Sequence, residues 1–269
     1  MSLATYDQGT NYYEETGNGE PLILIHGVGL DHHMWEKQVK GLSKQYRVIC
    51  YDMLGHGGSD HPPGPYSLSN YVAQLAGLLQ HLQIDTCHLV GFSMGGMVAQ
   101  AFALEFPKKI KTLTILNAVA NRTAEQRNAI LLRVEEVKQS GAVSTIEPAI
   151  QRWFNPDFLA TNESFVNGIR QRLQTNNPHS YLAAYTLFAT ADQELWPKLS
   201  TIKLPTLIIT GEQDVGSTPE MSQCMHQQIE QSELLIFPNM RHMLPAEDAN
   251  SLNQAIDRFI KKNAVPAVR

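Results

Sequence analysis

Gly91-Phe92-Ser93-Met94-Gly95 sets a serine between two glycines, after a short apolar run that reads as a strand and before a helical pattern. A serine at such a strand-to-helix turn needs a strained backbone, and side chains on the flanking positions would collide, so both glycines meet a steric requirement. The turn lifts the hydroxyl above the sheet, and the helix that follows aims its N-terminal N–H groups and positive dipole end at any developing anion. The competing reading is a glycine-rich turn with an idle serine.

A hydroxyl is a poor nucleophile until a base takes its proton. Among ten histidines, His242 fits that role: it follows an apolar run at 234–237 on the loop Pro238-Asn239-Met240-Arg241-His242. His32, His33, His61, His81, His179 and His226 fall in segments that read as surface loops or helices, and His88 lies within a strand. An imidazole base needs a carboxylate that holds its tautomer. Asp214, just past a strand at 206–210, supplies one at the same sheet edge; Glu212, nearer the strand end, is its rival. Asn117 ends the preceding sheet strand and cannot act as this anion. Donors for a tetrahedral oxyanion are expected from the Met94 amide and from Val28 N–H in Gly27-Val28-Gly29, where the backbone turns toward Ser93. His26 reads as a buried brace for that loop. The glycine-rich turn at 52–60 lacks the lysine and the helix spacing of a phosphate loop and reads as structural. The set describes acyl transfer that needs no metal and no cofactor.

Positioning these residues requires strands that end on one edge. Short apolar runs bounded by Gly, Pro or Asp predict buried strands at 22–26, 47–52, 88–90, 112–116, 206–210 and 234–237, each covered on both faces. Between them, Leu68, Tyr71, Val72, Leu75, Leu78, Leu79 and Leu82 form a helical stripe behind a Ser67 cap. Met97, Val98, Ala101 and Phe102 form another, closed by Pro107. Leu252, Ile256, Phe259 and Ile260 form a last one, with Pro245 near its start. This alternation predicts a mostly parallel sheet with helices on both faces. It fails at 118–204, where about five helical pieces, one at 124–138, follow each other without a strand. The expected division is a core domain of residues 1–117 and 205–269 carrying a helical lid of residues 118–204. The lid aromatics Trp153, Phe154, Phe158, Tyr181, Tyr185, Phe188 and Trp196 read as core rather than pocket lining.

With 269 residues and 43% hydrophobic composition, the chain can bury a core without staples. A net charge of −5 offers no basic footprint for nucleic acid, and the apolar runs are too short to span a bilayer. Cys50, Cys87 and Cys224 lack the spacing of a disulfide framework or zinc site. A soluble, cytoplasmic protein with a small-molecule substrate is expected.

Strand-His26-Gly27, Gly-x-Ser93-x-Gly, Asp214 and His242, in that order, resemble the α/β-hydrolase superfamily over nearly the whole chain. The resemblance implies an α/β fold with an eight-stranded, mostly parallel sheet, a helical lid after the sixth strand, and the triad Ser93, Asp214 and His242. Segment 29–35, Pro63-Gly64-Pro65-Tyr66-Ser67 and above all Arg152-Trp153-Phe154-Asn155-Pro156-Asp157-Phe158 look like the 3-oxoadipate enol-lactonases, whereas His26-Gly27 follows the wider superfamily instead of the lactonases' small polar pair. A serine hydrolase of a small ester or lactone is implied, with Arg152 meeting a substrate carboxylate and Trp153 lining the pocket. The alternative for Arg152 is a solvated head on a stem that covers apolar surface. Dehalogenases and epoxide hydrolases of this fold carry a carboxylate where Ser93 stands. Carbon–carbon bond hydrolases usually place an aromatic residue after the base, where Met243-Leu244-Pro245 stands here. A slow-turnover ligand sensor would keep the triad, and a single stoichiometric burst in place of repeated turnover would mark it.

Overall fold

The computed structural model describes residues 2–6 and 9–264. Eight strands, β1 (Ser2–Tyr6), β2 (Gly9–Thr16), β3 (Glu20–Ile25), β4 (Tyr46–Tyr51), β5 (Cys87–Phe92), β6 (Ile110–Leu116), β7 (Thr206–Gly211) and β8 (Ser232–Phe237), form one sheet. Its order is β1-β2-β4-β3-β5-β6-β7-β8, with the β1–β2 and β2–β4 pairings antiparallel and the others parallel. The helices are α1 (Glu36–Leu42), α2 (Leu68–His81), α3 (Met94–Glu105), α4 (Ala124–Ser140), α5 (Ile146–Trp153), α6 (Pro156–Thr161), α7 (Glu163–Gln174), α8 (Pro178–Thr190), α9 (Asp192–Leu195), α10 (Pro219–Gln228), α11 (Leu244–Glu247) and α12 (Ala249–Asn263). Six of them, α4 to α9, lie between β6 and β7, with no strand among the described residues there.

Side-chain alternation along β3 shows why the strands are apolar throughout. Ile23 and Ile25 join the core beneath α2 and α3, while Leu22 and Leu24 join the opposite core with α1 and α12, so neither face meets water. Ser67 caps α2 as expected, its side chain accepting from Asn70 N while the Asn70 side chain accepts in return. Two expectations change. Pro245 lies in the separate short helix α11, and α12 starts behind an Asp248 cap. The run at 234–237 is an edge strand, with Leu235 39% and Ile236 37% exposed, because among the described residues no strand pairs with its outer side. The β1–β2 hairpin carries no apolar run: GTNYYEET is half polar, as suits an antiparallel edge with one covered face. No helix among the described residues is long and apolar enough to cross a membrane.

The register aligns the carboxyl ends of the central strands. Ile25 pairs with Gly91, Phe92 with Leu116, Leu116 with Ile209 and Gly211 with Phe237. Strand order reverses around β3, and in an open parallel sheet the crevice opens at the carboxyl edge beside such a switch. The loops that follow β3, β5, β6, β7 and β8 therefore share one edge, and they carry Val28, Ser93, Asn117, Asp214 and His242.

Two histidines beneath this edge make folding sensitive to acid. His26 is wholly buried, accepting from Met53 N–H at 2.9 Å through Nε2 while Nδ1 meets Gly27 O at 2.7 Å. His56 is equally buried, with Nδ1 at 3.0 Å from Leu54 O. Burial lowers both pKa values, that of His56 to about 3. The unfolded chain takes up these protons near pH 6.5 and the folded chain does not, so stability falls as pH drops below 6.5. His32 shifts upward, because Asp52 outweighs its burial; its stabilising contribution is complete below pH 6.5 and does not offset the loss. Between pH 7 and 5 His56 alone should cost about 2 kcal/mol, and His26 adds to that loss. Urea midpoints at pH 7, 6 and 5 check this, and a flat profile would refute it.

Candidate active site

Ser93 stands between β5 and α3 with φ 54° and ψ −117°, in the positive-φ region that side chains avoid. The elbow is pinned by Ser93 N donating to Leu116 O at 2.8 Å and by Gly96 N donating to Ser93 O at 2.9 Å. A Cβ on Gly91 would lie 2.2 Å from Gly95 O, and one on Gly95 would lie 2.4 Å from His26 O. Any larger residue at either position would force the strand, the helix and the β3 loop apart. The turn is thus held by backbone on three sides, with the start of α3 directly behind the hydroxyl.

Asp214 and His242 meet from the loops after β7 and β8. His242 Nδ1 lies 2.7 Å from Asp214 Oδ2, so the carboxylate assigns the ring proton to Nδ1 and leaves Nε2 as acceptor. Asp214 Oδ2 also accepts from Asn117 Nδ2 at 2.8 Å, and Oδ1 accepts from Gly216 N and Ser217 N, both at 2.9 Å. Burial alone would raise the Asp214 carboxyl; the His242 charge and the hydrogen bonds from His242, Asn117 and Ser217 overrule it and hold the pKa below the usual carboxylate range. The result is a carboxylate that keeps its charge behind the imidazole. The His242 ring packs against Phe92 and Trp153, at centroid distances of 4.9 and 5.9 Å.

Ser93, Asp214 and His242 line one cavity of about 180 Å³, together with Val28, Arg152 and Trp153. Its roof comes from α4, α5 and α8. Gly27 lets the β3 loop approach closely, since a Cβ there would sit 3.3 Å from the Ser93 Cβ. Neither Val28 N nor Met94 N donates to a turn, loop or cap hydrogen bond among the described residues. Two backbone donors beside Ser93 are thereby uncommitted, as an oxyanion site requires. Asp31, His32 and His33 bring three potential metal-ligand atoms within 4.8 Å of one another. These residues also pair elsewhere, Asp31 with Arg172 and His32 with Asp52, and none of them lines the cavity.

Residues 20–249 match the family described as the alpha/beta hydrolase fold. The chain belongs to that family. It is 33% identical to the (E)-2-((N-methylformamido)methylene)succinate hydrolase of Acinetobacter baylyi, over 97% of each chain. It is 30% identical to 3-oxoadipate enol-lactonase 2 of the same organism, over 97% of this chain and 96% of the other. The crystal structure of the enol-lactonase from Burkholderia xenovorans LB400 superposes with a TM-score of 0.90 at 26% identity, covering 97% of this chain and all of that one. The family resemblance and the eight-stranded fold read from the sequence both hold.

Within this α/β-hydrolase, Asp214 and not Glu212 faces His242: Glu212 is exposed and its carboxylate accepts from Asn239 N at 2.9 Å. The aromatics of residues 118–204 divide. Phe154 and Phe158 stack in the core with Phe165, as expected; Trp153 lines the cavity, as the resemblance implies, and so do Tyr181, Tyr185 and Phe188, which the sequence places in the core. Helical periodicity finds the inward face of a helix and cannot tell whether that face meets packed atoms or a hollow. Sequence reasoning missed two further features. Asn117, with φ 47° at the end of β6, donates to Asp214; its place on the carboxyl edge of the sheet was a signal that could have found it. Arg241 ties the His242 loop to the end of α5 by donating to Gln151 O and Phe154 O at 2.9 and 3.0 Å. Met243 N adds a bond to Trp153 O at 2.9 Å, so the His242 loop and the cavity roof form one unit.

Proposed function

We propose that this hydrolase cleaves a small ester or lactone that carries a carboxylate, through an acyl-Ser93 intermediate. The observation that carries the reading is Ser93 on its strained elbow, lining the same cavity as a His242 already oriented by Asp214. Ser93 Oγ gives its proton to His242 Nε2 and attacks the carbonyl carbon. Val28 N–H and Met94 N–H receive the charge on the carbonyl oxygen. His242 then passes the proton to the departing alkoxide or enolate, which in a lactone stays tethered to the acyl group. Water, deprotonated by the same imidazole, discharges the acyl enzyme and restores Ser93. Residues 118–204 act as a lid over the core of 1–117 and 205–269, excluding bulk water from these steps. The relatives named as enol-lactonases support this chemistry, and Met243 after the base favours it over carbon–carbon bond cleavage.

Arg152 binds the substrate carboxylate. It lines the cavity half-buried, and burial together with the like charge of Arg133 lowers its pKa from the usual arginine range; a carboxylate would relieve both costs. Steady-state turnover of acidic and neutral esters and lactones tests the reading. Arg152→Ala should lose about 2 kcal/mol in kcat/KM toward acidic substrates, about 30-fold, and little toward neutral ones. Equal losses for both classes would withdraw the carboxylate contact. A wild-type protein that stops after one equivalent of product is the sensor and not the enzyme.

A further inference from the structure

The cavity roof holds more positive charge than one substrate carboxylate would balance. Arg122, Arg133 and Arg152 all line it. Arg122 is satisfied: buried Asp192 accepts from it at 2.8 Å and from Arg127 at 3.0 Å. Arg133 of α4 and Arg152 of α5 have no carboxylate within 4.0 Å among the described residues, whereas Arg47, Arg170 and Arg172 are all ion-paired. Glu136, one turn along α4 from Arg133, attracts Arg152 without forming an ion pair. The acid that lines the floor, Asp214, is committed to His242, Asn117 and two backbone N–H groups.

The two guanidiniums without an ion pair line one cavity with the Tyr185 hydroxyl of α8. Burial raises the pKa of that phenol, and Arg133, Arg152 and Arg122 pull it back. The like charge of Arg133 also lowers the pKa of Arg152. Like charges held this way at the wall of a half-closed, low-dielectric space are costly unless a ligand brings the counter-charge. A single carboxylate leaves one of them uncompensated. The chain as a whole carries −5 and would repel a polyanion, which makes a local positive roof necessary for capturing one.

We infer that the cavity is built for a dianionic substrate, a dicarboxylate ester or lactone, in which Arg152 holds one carboxylate and Arg133 holds the second. This rests on the reading of the cavity as a substrate site and extends it: Arg133 becomes a specificity-determining residue, and Tyr185 a donor between the two anions.

The test uses binding, so it does not depend on turnover. Dissociation constants of succinate, glutarate and adipate are measured calorimetrically on the Ser93→Ala protein against those of butyrate, valerate and hexanoate. The best diacid should bind at least about 30-fold more tightly than its matched monoacid. Arg133→Gln should reduce that preference to about threefold or less while leaving monoacid affinity within about twofold; Arg133→Lys, which keeps the charge and controls for folding, should retain part of it. Equal binding of diacids and monoacids by the Arg133-intact protein would overturn the proposal. So would an Arg133→Gln variant that weakens both classes alike, since both arginines would then share one carboxylate. The failures are separable: an active Ser93→Ala protein defeats the serine mechanism and leaves the diacid preference standing, and an inert one without that preference defeats only the dianion.

Discussion

Alanine at position 93 should abolish nearly all turnover of this hydrolase, leaving an acceleration of about 10³ over water from the oxyanion donors and substrate binding. The substitution is clean. Alanine keeps the Cβ, so the backbone at φ 54° and the clearances set by Gly91 and Gly95 do not change. The hydroxyl alone is removed. His242→Ala should cost as much, because a serine without its base attacks no faster than one that is missing. The Ser93→Ala, His242→Ala pair should then be scarcely worse than either change alone, since the residues act as a unit. Comparison of kcat/KM for the three variants on one ester checks this. A Ser93→Ala protein keeping more than about a tenth of wild-type kcat/KM would sink the assignment, as losing a nucleophile must cost far more than about 1.4 kcal/mol.

The residues of this argument were visible in the sequence for a local reason. Each stands just after an apolar run, and apolar runs buried on both faces are the strongest strand signal a parallel sheet emits. Knowing where β3, β5, β7 and β8 end is enough to place Val28, Ser93, Asp214 and His242 on one edge. Asn117 obeys the same rule at the end of β6, but an amide cannot serve as the acid, so the rule alone gives it no role. Its contribution, a hydrogen bond to a carboxylate 97 positions away, is a property of the fold and has no local signature. The same holds for Asp192 gathering Arg122 and Arg127, and for Arg241 bracing the end of α5. The β1–β2 hairpin was illegible for the opposite reason: its polar, half-covered strands emit a weak pattern where each is seen alone. Whether Tyr181 and Tyr185 pack or line a hollow depends on three helices at once, and no single periodicity contains that information.

Asp214→Asn should fold normally and lose roughly 10⁴ in kcat. Asp214 Oδ1 accepts two backbone N–H bonds, from Gly216 and Ser217, so an asparagine places its carbonyl oxygen there and turns its NH2 toward His242. The imidazole must then accept at Nδ1 and carry its proton on Nε2, where it cannot take one from Ser93. The NH2 also meets Asn117 Nδ2, which in the native protein donates to this position. Asn117 can answer by rotating its amide, because its Oδ1 is buried without a partner and becomes the acceptor the new NH2 needs. That adjustment is why the loss should fall on kcat and spare the melting temperature. Glu212→Gln removes an exposed carboxylate that accepts only from Asn239 N, and its effect should stay within about twofold. Thermal melts and kcat for the two variants, measured side by side, separate the outcomes. If Glu212→Gln were the inactive one, the acid would be misassigned. If Asp214→Asn lost stability in proportion to activity, the carboxylate would be a structural clamp on the β7 loop and not the partner that sets the tautomer of His242.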